Sequence, residues 1–237
     1  MLIDTTHDGD AALEASIKRL LATVKPRSQE EVDQHNADEE KRISNQRRWK
    51  SWVKKNLPFR NAIQTLAGDE QFALKLQKLN ALIGTGATIA IIGKQGHGKT
   101  QFGVELLRNR PGYFTTGVEI GTYLRPFDTA EERMQELIDY PLLVIDEAFK
   151  KQESEWMASQ FFCLLNKRHE LMVDTVLIDS ITQPELGNAC GASVISRMNQ
   201  SGALLVCDWQ NYRDERMQIP NLAEELAGYN EARRAVK

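Results

Sequence analysis

The chain has 237 residues, 41% hydrophobic and 27% charged, with 30 Lys plus Arg against 33 Asp plus Glu. That balance describes an ordinary globular chain and does not advertise a nucleic-acid binder. No stretch approaches the ~18 consecutive apolar residues of a membrane span. The acidic start MLIDTTHDGDAA lacks a basic-then-apolar signal, so a cytoplasmic protein with no membrane partner is expected.

In chain order, Asp10 is placed to cap a helix over about 11–24, with Leu13, Ile17, Leu20 and Val24 on one stripe and Pro26 closing it. A stripe this narrow docks either on the protein's own core or in a partner's groove. Residues 26–40 are polar and read as a linker. Within them, 28–40 carry six acidic and no basic residues, whereas 41–60 carry eight basic and no acidic ones. Residues 41–55 read as a helix ending near Pro58. Arg47, Arg48, Trp49, Lys50, Trp52, Lys54 and Lys55 mix positive charge with aromatic rings, the combination that grips single-stranded DNA. A solvated helix face or packing against the core is the plainer alternative. A second, smaller mixture is Tyr123, Arg125 and Phe127.

From about residue 60 the texture changes. A helix near 69–83 leads into Gly84 and Gly86, and then apolar runs alternate with helical stretches. The runs are 88–93, 113–116, 142–146, 175–179 and 203–208, dense enough to be strands buried on both faces. Alternating β and α predicts a five-stranded parallel sheet flanked by helices, an α/β fold. The division expected from composition is a helical N-terminal partner-binding extension over 1–60 and a nucleotide domain over 61–237. Cys163, Cys190 and Cys207 form no CxxC pair and read as small buried hydrophobes in a reducing compartment.

Gly93-Lys94-Gln95-Gly96-His97-Gly98-Lys99-Thr100 matches G-x-x-x-x-G-K-[ST] in full, between a predicted strand and a predicted helix. The glycines let backbone amides converge on phosphate, and the helix aims its positive end there. Lys99 is expected on the β- and γ-phosphates of ATP, and Thr100 on Mg²⁺. His97 reads as a filler whose backbone amide does the binding, and Gln101 completes the phosphate-binding stretch. The run 142–146 ends in Asp146 and Glu147. Asp146 is expected to hold Mg²⁺, and Glu147 to polarise the attacking water. The run 175–179 ends in Asp179 and Ser180, where a polar residue sits beside that water or merely closes a strand. Arg197 lies on a predicted helix, where it either stabilises phosphate charge or is a surface residue.

GKQGHGKT, LLVIDE, TVLIDS and GASVISRMNQSGALLVCDWQNYR together resemble the DnaC/IstB family of AAA+ ATPases. The resemblance spans about residues 70–213, and residues 1–60 have no counterpart in it. It implies a P-loop NTPase fold of AAA+ type. Gly93, Gly96, His97, Gly98, Lys99, Thr100 and Gln101 would bind ATP, Asp146 and Glu147 would form the Walker B pair, and Asp179 would be a sensor. Arg197 would act as a finger on a neighbouring subunit's ATP. The implied activity is slow ATP hydrolysis by a loader of a replicative hexameric helicase onto single-stranded DNA, acting near the nucleoid and self-associating through the ATP interface. The alternatives are a transposition ATPase on double-stranded DNA and, further off, a small-molecule P-loop kinase. Gly191-Ala192-Ser193 replaces the family's frequent Gly-Glu-Arg, and Asp179 replaces a frequent Asn. Both departures favour slow turnover.

Overall fold

Each apolar run becomes a strand because both of its faces find cover. The computed structural model describes residues 28–64, 66, 69–126, 128–150, 154–212 and 221–236. The Leu13/Ile17/Leu20/Val24 stripe and Phe127 lie outside the described residues. The strands are β1 (Thr88–Gly93), β2 (Tyr113–Thr116), β3 (Leu142–Asp146), β4 (Asp174–Asp179) and β5 (Ala203–Cys207). They form one sheet in the order β2-β3-β4-β1-β5, with every neighbouring pair parallel. Side chains alternate between the faces. Ile89, Ile91, Val144 and Ile178 join Phe72 and Phe102 on one side. Ala90, Ile92, Ile145 and Leu177 join Phe161 and Leu164 on the other.

The helices are α1 (Gln29–Lys54), α2 (Phe59–Ala62), α3 (Glu70–Asn80), α4 (Lys99–Arg108), α5 (Gly117–Leu124), α6 (Ala130–Asp139), α7 (Glu155–Glu170), α8 (Gln183–Ser201) and α9 (Leu222–Val236). Among the described residues none is long and apolar enough to cross a membrane. Arg168 of α7 is fully buried, with the charge of Asp174 acting on it. It donates to the carbonyls of Leu137, Ile138 and Tyr140, satisfying the open end of α6, and to Thr175 Oγ1 in β4. Burial lowers its pKa to about 10.

Four expectations change. The expected linker is helical from Gln29. Ser28 and Glu31 form a capping box: the Ser28 hydroxyl accepts from Glu31 N at 3.2 Å, and the Glu31 carboxylate accepts from Ser28 N at 2.8 Å. The S-x-x-E signal is present in the sequence, and no Gly or Pro interrupts the chain from there to Lys54. Second, Cys163 is exposed, while Cys190 and Cys207 are buried. Third, β5 is an edge strand and leaves Leu204 and Val206 exposed on one face.

The fourth concerns residues 47–60. The chain divides into compact units between Gln46 and Arg47. In the second unit Trp49 and Trp52 are only 8% and 3% exposed, and with Leu57 they belong to the core on the Phe102 side of the sheet. The Trp49 indole donates to Glu225 Oε2 at 2.8 Å, and Arg48 pairs with Glu225 Oε1 at 2.5 Å. A Cβ at Gly228 would fall 2.1 Å from the Trp49 ring, so glycine is what lets α9 approach it. Lys55 donates to the carbonyls of Leu107 and Arg108 at the end of α4. Neither tryptophan can therefore stack on a base. Arg47, Lys50 and Lys54 remain exposed.

Candidate nucleotide-binding site

The carboxyl ends of β1 and β3, with Ser180 just past β4, converge on one cleft. This is where open α/β sheets place ligands. The loop after β1 turns through Gly93, Gly96 and Gly98, all at positive φ. Gly98 caps α4 in the left-handed region, so Lys99 starts the helix and its free amides face the cleft. The loop is packed from behind. A Cβ at Gly93 would lie 2.3 Å from the Cys207 carbonyl, and one at Gly96 would lie 2.0 Å from Asn211 Oδ1. Tyr212 N also donates to Gly96 O at 2.9 Å.

Lys99 is buried, and its Nζ donates to Lys94 O at 2.6 Å, inside the loop. Thr100 Oγ1 donates to Asp146 Oδ2 at 2.7 Å, which joins the P-loop to the end of β3. Burial raises the Asp146 pKa, and the Thr100 and Glu147 amide hydrogen bonds oppose that shift. A largely buried carboxylate beside a hydroxyl is a hard-oxygen pair that suits Mg²⁺. Among the described residues no larger His/Cys/Asp/Glu cluster could hold a metal.

Glu147 sits at φ 52°, a left-handed conformation costly for a non-glycine residue. The turn it begins is sewn to β4: Ala148 N donates to Ile178 O at 3.0 Å, and Phe149 N to Asp179 Oδ2 at 2.6 Å. Gly117 opens α5 tightly against this turn, since a Cβ there would lie 2.7 Å from Glu147 O. The Glu147 carboxylate pairs with Lys150 at 2.7 Å, and both side chains are about half exposed.

The cleft wall contains Gln95, Gly96, Gly98, Lys99, Thr100, Gln101, Asp146, Glu147 and Ser180, joined by Arg60, Asn61, Gln64, Leu66 and Tyr212. Not every expected residue lines the cleft. Asp179 is absent from the wall. Its oxygens accept from Phe149 N and from Ser180 N at 2.6 Å, so it fastens the turn after β3, and Ser180 takes the wall position. Gln101 reaches the wall, but its side chain points to the preceding chain. Its Nε2 donates to the carbonyls of Asn61 and Gln64 and to Glu105, and its Oε1 accepts from Asn61. His97 also lies off the wall, with Nδ1 buried and lacking a hydrogen-bond partner among the described residues. Arg197 lies off it too, in the half of α8 beyond the break at Gly191, with Nη1 buried and similarly unpaired.

Arg60, Asn61, Gln64 and Leu66 carry no local motif, and Tyr212 belongs to the stretch that carries the resemblance without being marked there as part of this site. Tyr212 is held by Asp69, which accepts its hydroxyl at 2.8 Å while capping α3 through Phe72 N. The second basic-aromatic candidate is altered as well. Tyr123 OH donates to Glu136, and the Tyr123 ring lies under Arg133 at 4.9 Å.

No protein-family model and no curated protein matches the sequence. Solved structures do match. The crystal structure of DnaI aligns at TM-score 0.50 and 16% identity over 63% of this chain and 88% of that one. AMPPCP-bound DnaA from Aquifex aeolicus aligns at 0.50 and 17%, over 63% of this chain and 50% of that one. Replication initiator DnaA bound to AMPPCP and single-stranded DNA aligns at 0.50 and 15%, over 76% and 63%. The alignments thus span less than two thirds of either DnaA chain. At these identities the likeness is one of fold. The shared fold is a five-stranded parallel sheet flanked by helices with a P-loop after β1, as the sequence motifs lead one to expect.

Proposed function

We propose that the chain is an ATP-dependent loader of a replicative DNA helicase onto single-stranded DNA, with ATP binding and slow hydrolysis acting as an assembly and release switch. The observation that carries the nucleotide part is the Thr100–Asp146 contact at 2.7 Å, with Lys99 and Glu147 on the same cleft. The replication part is supported by the fold shared with DnaI and DnaA.

The loop amides and Lys99 would hold the β- and γ-phosphates of ATP. Arg60, Asn61, Gln64, Leu66 and Tyr212 offer the base and ribose a mixed polar and apolar wall. Gln101 is a positioning residue that fixes this wall through Asn61 and Gln64. Thr100 and Asp146 would hold Mg²⁺, which supplies charge neutralisation at the phosphates. Glu147 would orient a water. As the water oxygen bonds to the γ-phosphorus, the bond to the β–γ bridging oxygen breaks, ADP leaves, and Glu147 takes the water's proton. Glu147 must first exchange its Lys150 contact for that water, which suits slow turnover. Arg197, away from its own cleft, would serve a neighbouring subunit's ATP.

The test uses the full chain with single-stranded DNA and the replicative helicase of the same host. Lys99→Ala should lose nucleotide binding, and Glu147→Gln should bind ATP, retain the helicase and fail to release it. Arg197→Ala mixed with Lys99→Ala should recover part of the hydrolysis that each lacks alone. Normal turnover in Lys99→Ala would sink the site assignment. ATP-dependent assembly on duplex DNA without a helicase would replace the loader reading with that of a transposition ATPase.

A further inference from the structure

A second cavity, of about 450 Å³, opens beside β2, at the sheet edge opposite β5. It shares no residue with the nucleotide cleft. Its walls include Tyr113, Tyr123, Tyr140, Glu119 and Glu136, and no lysine or arginine. Tyr113 and Tyr140 stack at 4.8 Å with only 12° between their planes, a flat aromatic face. Among the described residues their phenol oxygens have no hydrogen-bond partner, so both remain available to a guest.

The charges are of one sign. Burial raises the Tyr113 pKa, and Tyr140, Glu119 and Glu136 push it further, as a negative environment does. Glu119 is committed through one oxygen, which accepts from Thr116 N at 3.0 Å in the cap of α5. Glu136 accepts from Tyr123 OH through one oxygen, and its other oxygen has no hydrogen-bond partner among the described residues. Arg133, outside the walls, already lays its guanidinium over the Tyr123 ring at 4.9 Å and donates to Tyr123 O at 2.7 Å. The rings here therefore accept a cation face-on, and one cation does not neutralise two carboxylates.

We propose that this cavity is a socket for an arginine side chain presented by a protein partner. A planar guanidinium stacks on aromatic faces and forms paired hydrogen bonds to a carboxylate, whereas an ammonium is compact and strongly hydrated. Nucleic acid fits poorly, because its phosphates would meet Glu119 and Glu136. The position also suits a partner signal. The socket is built on α5, whose first residue, Gly117, abuts the backbone of Glu147 and Ala148.

The test titrates the full chain with acetyl-Gly-Arg-Gly-amide and with its lysine and glutamine counterparts, read by ¹H–¹⁵N NMR. The arginine peptide should move resonances of residues 113–123 and 136–140, more tightly than the lysine peptide, and the glutamine peptide should not. Glu136→Gln should weaken the arginine peptide about tenfold, the scale of one charged hydrogen bond, and Tyr140→Leu should weaken it as well. Both variants should keep nucleotide affinity, which reports that the fold is intact. Equal shifts from the glutamine peptide, no shift at these residues, or undiminished binding by Glu136→Gln would overturn the socket. Displacement of the same resonances by oligothymidylate would make it a nucleic-acid surface instead.

Discussion

Residues 29–46 and 47–54 are consecutive stretches of one helix, yet they meet different surroundings. The first stretch is held by its own neighbours: Gln29 bonds Asp33, Gln34 bonds Asp38, and Arg42 pairs with Glu39. Its side chains are mostly exposed. The second stretch places Trp49, Trp52 and Val53 at i, i+3 and i+4, one face of a helix, and buries both indoles in the core. Both stretches are dense in charge, and charge does not distinguish them. A charge run describes the face a helix turns to water, whereas one or two aromatic residues at helical spacing decide whether the other face is anchored.

The largest effect comes from moving the cut across that boundary. Removing residues 1–46 should leave a cooperative thermal transition and nucleotide binding. Removing residues 1–60 also deletes Trp49, Trp52 and Leu57, and takes Arg60 from the cleft. Losing large buried side chains costs about 3–5 kcal/mol each, against a total stability of ~5–15 kcal/mol. The longer deletion should therefore show no cooperative melt and no nucleotide binding. If the 61–237 fragment melts cooperatively and binds nucleotide, the tryptophan anchor is dispensable and the division lies at 60.

A smaller change tests the anchor from its other side. In Gly228→Ala the new methyl would enter the Trp49 ring, and overpacking of this kind costs about 1–3 kcal/mol. Gly187→Ala in α8 is the control, because nothing lies within 4 Å of a Cβ there. It should be neutral or stabilising by up to ~1 kcal/mol. Thermal melts of the two variants should move in different directions. Equal melting temperatures would mean that α9 yields freely and does not clamp Trp49.

The same contrast explains what the sequence could show. The five strands stand out because parallel strands covered on both sides are nearly unbroken apolar runs. Gly93–Thr100 and Asp146–Glu147 stand out because phosphate chemistry fixes residue types at fixed local spacing. Tyr212 and Asn61 do not, because chain distant in sequence brings them to the cleft, through Asp69 in one case and Gln101 in the other. Asp179 illustrates the limit of strand-end reasoning. A carboxylate at that position looks like a sensor, yet two amide donors lie within reach and it satisfies them. Ser28–Glu31 is different, because the capping signal is local and legible, and the acidic run behind it obscures it.

The smallest expected effect lies in the outer stretch of α1. Arg42 and Glu39 form an i,i+3 pair at 2.6 Å, with side chains 62% and 43% exposed. The Arg42 hydrogen bond lowers the Glu39 pKa, the direction expected for a carboxylate beside a guanidinium. An exposed carboxylate with a lowered pKa contributes stability above its ordinary pKa, and that contribution is lost as pH falls through the lowered value. Water and salt screen a pair this exposed, and such a pair contributes little to stability. Arg42→Ala should leave the thermal midpoint of the full chain unchanged within measurement, and raising the salt concentration should remove any residual difference. A loss comparable to that of Gly228→Ala would mean that the outer stretch is anchored like the inner one, and the contrast between the two would then not hold.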